Sequence, residues 1–85
     1  MLKVNKQRVA NKLVALLLKH GLQVGAVKVE SNLWRWVHQE PMFETEWRVY
    51  TASANDQPAF SATRRTVDEA LEAIEAEMKK WVEGH

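Results

Sequence analysis

The stretch TVDEALEAIEAEMKKWV, residues 66–82, decides the fold of this 85-residue chain. Its apolar residues recur at three- and four-residue spacing, which is typical of a helix that packs one stripe against another surface. The stripe consists of Val67, Ala70, Leu71, Ile74, Met78, Trp81 and Val82. Thr66 and Glu69 have the spacing of a capping box, so the helix is predicted to begin at Thr66. The remaining chain must cover this stripe, and we expect Leu71 and Trp81 to lie in the core.

A second helix is predicted near the amino terminus, from Asn5 to His20. Asn5 is a good N-cap, and Gly21 stands where many helices end in a left-handed residue. One face carries Val9, Ala10, Leu13, Leu16, Leu17 and His20. Val14 and Leu18 widen the apolar arc beyond what a single sheet contact needs. The helix is therefore expected either to be buried on two sides or to meet a partner.

Between the helices the hydrophobic period changes to two, and β-branched and aromatic residues dominate, which predicts a sheet. The predicted strands are 24–30, 33–39, 43–53 and 59–63. Ser31 and Asn32 form either a hairpin turn or a bend within one long strand. Residues 40–42, which contain a proline, and residues 55–58 are predicted turns.

These elements predict one α+β domain over residues 1–85, in the order α-β-β-(β)-β-α. Short connections favour an antiparallel sheet of three to four strands, with the two helices packed on one face. Double-stranded-RNA-binding domains share this order of elements, but none of their characteristic residues accompanies it here. Because one order of elements serves many functions, the order alone does not indicate one.

The composition narrows the class of protein. With 46% hydrophobic and 27% charged residues, the chain is expected to fold rather than stay disordered. It has no cysteine, which excludes disulfides, thiol catalysis and cysteine-based zinc sites and fits a cytoplasmic location. No stretch approaches the roughly 20 apolar residues that span a bilayer, so we expect a soluble protein without a membrane partner.

Charge is unevenly distributed although the formal net charge is only +1. Residues 1–29 carry six cations and no acid, whereas residues 66–85 carry six acids and two lysines. Such asymmetry fits either a surface for nucleic acid or two neighbouring helices with complementary charges. We favour the second interpretation.

Two aromatic and arginine-rich stretches, LWRWVH and EWRVY, fall in the predicted strands. Strict alternation places Trp34 and Trp36 on the face opposite to Arg35. The arrangement that costs least puts the tryptophans of both stretches in the core, with Arg35 and Arg48 on the open face beside Tyr50. It avoids burying a guanidinium group and fills a small core with large rings.

Catalysis is not predicted, and neither a metal site nor a cofactor is expected. His38 and Arg35 fall on opposite strand faces, so they do not form an acid–base pair. The spacing of His38, Glu40 and Pro41 matches part of a zinc deaminase signature, but the required cysteine pair is absent. We expect His20 to bond a backbone carbonyl in the last turn of its helix.

The predicted function is that of a small non-enzymatic interaction protein. Such an inhibitor or adaptor would bind another protein through a sheet face, a sheet edge or the first helix, and a homodimer is a further expectation. The alternative is a nucleic-acid-binding module that uses the basic first helix and the arginine and aromatic strand residues. The candidate binding residues for either function are Arg8, Lys12, Lys19, Arg35, Arg48, Tyr50, Arg64 and Arg65. Asp68 and Glu69 follow the last two closely and oppose phosphate binding there.

Overall fold

A computed structural model describes residues 5–36 and 42–84, with residues 34–36 and 42–44 described by their backbone only. The elements in chain order are α1 (Lys6–Lys19), β1 (Val27–Trp36), β2 (Met42–Thr51), β3 (Ser61–Arg64) and α2 (Val67–Glu83). The strands form one antiparallel sheet in the order β1-β2-β3. The predicted α+β class and order of elements are confirmed. Neither helix is long and apolar enough to cross a bilayer within the residues described.

The pairing of β1 with β2 is continuous along both strands. Ser31 pairs with Trp47 and Asn32 with Glu46, so both residues lie inside one strand. The alternative of a hairpin turn at these two residues is therefore wrong, and the sheet of the described chain has three strands. The predicted turn at residues 40–42 lies outside the described residues except for Met42, which begins β2.

The predicted turn at residues 55–58 is confirmed. Ala54 and Gln57 form a two-way backbone bridge, and Asn55 between them adopts a left-handed φ of 49°. The Gln57 side chain is buried and bonds both the N–H and the C=O of Gln23, at 2.8 and 3.0 Å. This amide anchors the turn to the segment that leads from α1 into the sheet.

Both helices begin and end as the residues at their termini predict. The Asn5 side chain accepts a hydrogen bond from the Gln7 N–H at 2.8 Å, and Thr66 Oγ1 accepts one from the Glu69 N–H at 3.2 Å. Gly21 follows α1 with a φ of +69°, a conformation that glycine adopts without steric cost. These bonds satisfy backbone groups that helix ends leave unpaired.

The core lies between the two helices and one face of the sheet. Its buried apolar residues are Val9, Leu13, Leu17, Leu22, Val49, Phe60, Ala62, Ala70, Ile74 and Met78. Leu71 and Trp81 pack against this core but are only half-buried, so they form its rim rather than its centre. The Trp81 ring meets Phe60 edge to face, with 6.3 Å between ring centroids.

The two helices run in the same direction on the sheet. Their first residues line one cleft, and Lys19 at the end of α1 bonds Glu75 in α2. α1 packs on β1, whereas α2 packs on β2 and β3. One flank of α1 therefore faces α2, and the opposite flank lies over the outer edge of β1.

The strand register places the side chains of the second aromatic stretch. Trp47 and Val49 face the helices as expected, and Arg48 and Tyr50 therefore alternate onto the open face. The predicted position of Arg35 on the open face stays a prediction. The side chains of Arg35, Trp34 and Trp36 lie outside the described part of the chain.

Candidate functional site

Three of the predicted cations come together at the amino-terminal ends of the helices. Arg8 and Lys12 from α1 and Arg65 from the β3–α2 connection line one open cleft of about 550 Å³, called here the basic cleft. Its other lining residues are Asn5, Val9, Thr45, Trp47, Thr66, Val67 and Asp68. The structure thus joins residues more than fifty positions apart in the sequence.

The basic cleft has more positive than negative groups. Among the described lining residues Asp68 is the only carboxylate, against Arg8, Lys12 and Arg65. Arg8 and Lys12 are exposed and form no ion pair with any described residue. Half-buried Trp47 and buried Val9 contribute an aromatic and apolar surface to the same cleft.

Lys19 lies on the same side of α1 as Arg8 and Lys12 but has a different environment. Its Nζ lies 3.0 Å from Glu75 Oε2, and His20 Nε2 lies 2.8 Å from the same oxygen. The hydrogen bond from His20, followed by that from Lys19, lowers the pKa of Glu75 below its ordinary value. At this point the two helices have the complementary charges that the sequence suggested.

This contact corrects the expectation for His20. The side chain of His20 bonds a carboxylate of the neighbouring helix rather than a backbone carbonyl of its own helix. Glu75 correspondingly bonds across the interface between the helices. Lys19 is therefore committed to a structural contact, unlike Arg8 and Lys12.

Arg48 and Tyr50 lie on the open face, away from the basic cleft. Tyr50 donates its O–H to Glu30 at 2.9 Å, and Lys28 Nζ lies 3.2 Å from the same carboxylate oxygen. The bond from Tyr50 and then that from Lys28 lower the pKa of Glu30, while Tyr50 and Glu30 raise the pKa of Lys28. The Tyr50 hydroxyl is therefore already hydrogen-bonded to Glu30, and Lys28 lies over its ring.

The remaining predicted cations do not join the basic cleft. Arg64 is exposed at the end of β3 and donates to the Thr63 carbonyl at 2.7 Å. The side chain of Arg35 lies outside the described residues. Among the described side chains of the eight predicted binding residues, Arg8, Lys12 and Arg65 line the basic cleft, whereas Arg48 and Tyr50 line a separate pocket beside β3.

A second candidate surface is the outer edge of β1. β1 has ten residues, contains no proline, and pairs on its inner side only, because no described strand lies beyond it. Leu33 on this strand is 68% exposed, and it has the register parity of the helix-facing Val29. The end of β1 therefore projects past the helical cover.

The flank of α1 above this edge is apolar. Lys12 and Leu16 line the groove towards α2. At 100° per residue, Ala10, Val14 and Leu18 fall on the other side of the helix. Ala10 and Val14 are half-buried and Leu18 is 65% exposed. The excess apolar arc in the sequence was the signal for this surface, but only the packing of α1 on β1 shows which edge it overhangs.

The described side chains include no group of three or more His, Asp or Glu that could hold a metal ion. Among the described residues, the two candidate binding surfaces are the basic cleft on one side of α1 and the outer edge of β1. Val67 in the cleft was predicted to be a core residue, and Trp47 was predicted to lie in the core or, in the alternative function, to bind nucleic acid. No protein-family model, curated protein or solved structure matches this chain.

Proposed function

We propose that this chain is a small, non-enzymatic protein-binding module that takes up an extended segment of another protein along the β1 edge. The observation that carries the proposal is the coincidence of two features on one side of the molecule. One is a ten-residue edge strand on the side of the sheet against which α1 packs, and the other is the apolar flank that Ala10, Val14 and Leu18 form on the side of α1 away from α2.

The strand supplies the backbone part of such a site. An edge strand offers a row of unpaired N–H and C=O groups, and an added strand satisfies them with its own. Proteins often block such edges with prolines, bulges or short strands. β1 has no proline, its pairing with β2 is uninterrupted, and it is much longer than the four-residue β3 at the opposite edge.

The helix flank supplies the side-chain part. Alternate residues of an added strand would point towards the helices and contact Val14 and Leu18, while the others would lie beside Lys28 and Glu30 on the open face. The partner segment should therefore alternate apolar with polar or charged residues. Covering Leu18 would remove the most exposed apolar side chain of α1 from water.

The positions of the cations favour this function over generic nucleic-acid binding. A nucleic-acid surface gains affinity from many phosphate contacts that act together. Here Arg48 lies on the face away from the basic cleft, and Lys19 is engaged with Glu75. We expect no tight binding of generic DNA or RNA at physiological salt. The cytoplasmic location suggested by the composition remains part of the proposal.

The test is a display selection of random peptides long enough to pair with the whole of β1, followed by affinity measurements on the enriched peptides. Leu18→Lys should weaken binding by about tenfold or more, because it places a charge against the apolar row of the peptide. Val82→Lys, the same kind of change at an exposed apolar residue of α2, is the matched control and should change affinity by less than about twofold.

Amide hydrogen exchange locates the bound peptide. Added protection in β1 is expected, because outward-facing N–H groups would gain acceptors. Enriched peptides that bind equally well to Leu18→Lys, or that protect another element, would refute the proposal, as would a selection without enrichment. If sedimentation instead shows a dimer that Leu18→Lys dissociates, the segment is supplied by a second copy of this chain.

A further inference from the structure

We propose that the basic cleft is a separate binding site for a phosphate monoester carried on a planar aromatic ring, the chemistry of a nucleoside monophosphate. The cleft lies on the flank of α1 opposite to the one over the β1 edge, so the two sites do not compete for the same surface. Its volume of about 550 Å³ is typical of small-molecule sites.

The anionic part of the ligand follows from the charge of the lining residues. Arg8 and Lys12, which form no ion pair with a described residue, together carry a charge of +2, which matches the charge of about −1.5 to −2 on a phosphate monoester at neutral pH. A carboxylate would neutralise only half of it. The guanidinium groups also provide planar pairs of donors that suit phosphate oxygens.

Lys19, on the same side of α1 as Arg8 and Lys12, has a carboxylate partner. Its Nζ lies 3.0 Å from Glu75 Oε2. Arg8 and Lys12 have no such partner among the described residues, although they lie on the same side of α1. Their charges remain available to an external anion.

Each helix cap satisfies one first-turn N–H group. Asn5 caps α1 by accepting from Gln7, and Thr66 caps α2 by accepting from Glu69. The parallel helices still contribute the positive ends of their dipoles to this end of the molecule. We expect a phosphate in this cleft to bond the side chains of Arg8 and Lys12.

The aromatic part of the ligand follows from the rest of the cleft. Trp47 and Val67 offer an aromatic and apolar surface next to the cations, and both are only half-buried. Inorganic phosphate would leave this surface in water. A planar ring attached to the phosphate would cover it and could stack on the indole.

Calorimetry and amide NMR with four kinds of probe test the site: adenosine 5′-monophosphate, adenosine, inorganic phosphate, and short oligothymidylates with and without a 5′-phosphate. Adenosine 5′-monophosphate should bind and shift the amide signals of Trp47 and of the first turns of α1. Adenosine and inorganic phosphate should each bind more weakly by about tenfold or more, since each lacks half of the contacts.

Two variants with equal loss of charge separate the cleft from general electrostatics. Arg8→Gln with Lys12→Gln should weaken binding of adenosine 5′-monophosphate by about tenfold or more. Arg48→Gln with Lys80→Gln removes the same charge outside the cleft and should change affinity by less than about twofold at physiological salt.

The oligonucleotides distinguish the source of the phosphate. Binding of the free mononucleotide alone supports a small-molecule ligand, and binding of the 5′-phosphorylated strand as well supports a strand end. Equal binding of strands with and without the 5′-phosphate would overturn the proposal, because internal phosphates would then suffice. Absence of binding, or binding that both double variants weaken equally, would also overturn it.

Discussion

The two helices use their surfaces differently. α2 directs its apolar stripe into the core and the rim of the core, and its acids lie elsewhere on the helix. α1 also buries one face, but its two flanks retain unused groups: the cations Arg8 and Lys12 on one side and the apolar Val14 and Leu18 on the other. The apolar stripe of α2 is used for packing. On α1, by contrast, Arg8, Lys12 and Leu18 are exposed and lie outside the buried core.

The largest expected effect contrasts the inner face of α1 with its flank. Leu13→Ala should lower the free energy of unfolding by about 3 kcal/mol, because Leu13 is fully buried and its removal leaves a cavity. Leu18→Ala, the same change at an exposed residue, should cost less than about 0.5 kcal/mol. Urea denaturation measures both. Equal losses would show that the flank is already covered in the free protein.

A smaller loss is expected at the rim of the core in α2. Trp81→Ala should cost about 2 kcal/mol, less than a fully buried tryptophan, because Trp81 is half-buried and loses its edge-to-face contact with Phe60. Trp81→Phe, measured in the same way, should recover part of this loss. A melting temperature unchanged by Trp81→Ala would show that α2 is placed wrongly.

The caps should affect both helices alike. Thr66→Ala and Asn5→Ala should each lower the free energy of unfolding by about 1 kcal/mol, because each leaves a first-turn N–H without its acceptor. Thr66→Ser retains the hydroxyl and is the matched control, with an expected loss of a few tenths of a kcal/mol. A loss only at Thr66 would indicate that the start of α1 frays in solution.

The contact between the helices should make stability depend on pH. The pKa of Glu75 is lowered by His20 and then by Lys19, so its contribution is present above the ordinary pKa of 4.5 and is lost as pH falls through the lowered value. Glu75→Gln should therefore flatten the decline of the free energy of unfolding below about pH 4.5. Denaturant titration at each pH measures this decline. Glu72→Gln, at an exposed acid without an ion pair among the described residues, should leave the decline unchanged.

Much of the fold could be predicted because helices are determined by residues a few positions apart. The apolar spacing in α2 and the capping residues Asn5 and Thr66 were read from sequence and are confirmed. The turn at Ser31 and Asn32 was a real alternative, since both residues favour turns. Pairing with Trp47 and Glu46 on the neighbouring strand overrides that local preference.

The candidate site was harder to predict for the same reason. A shift of register by one residue moves every side chain to the other face, and neither strand's own sequence specifies that register. The eight candidate residues were chosen by type and by their place on one helix face or one strand face. Among the described residues, the structure brings Arg8, Lys12 and Arg65 to the basic cleft.

The sequence by itself determined where the helices begin, which of their faces are apolar, and the antiparallel α+β order, since all of these follow from spacing within one element or between neighbours. The tertiary structure was needed to show that Glu75 bonds Lys19, that Trp47 reaches the basic cleft, and that α1 packs on the edge strand β1. These relations join residues tens of positions apart. They depend on strand register and on the direction in which the helices cross the sheet, and both are set by the packing of the whole core.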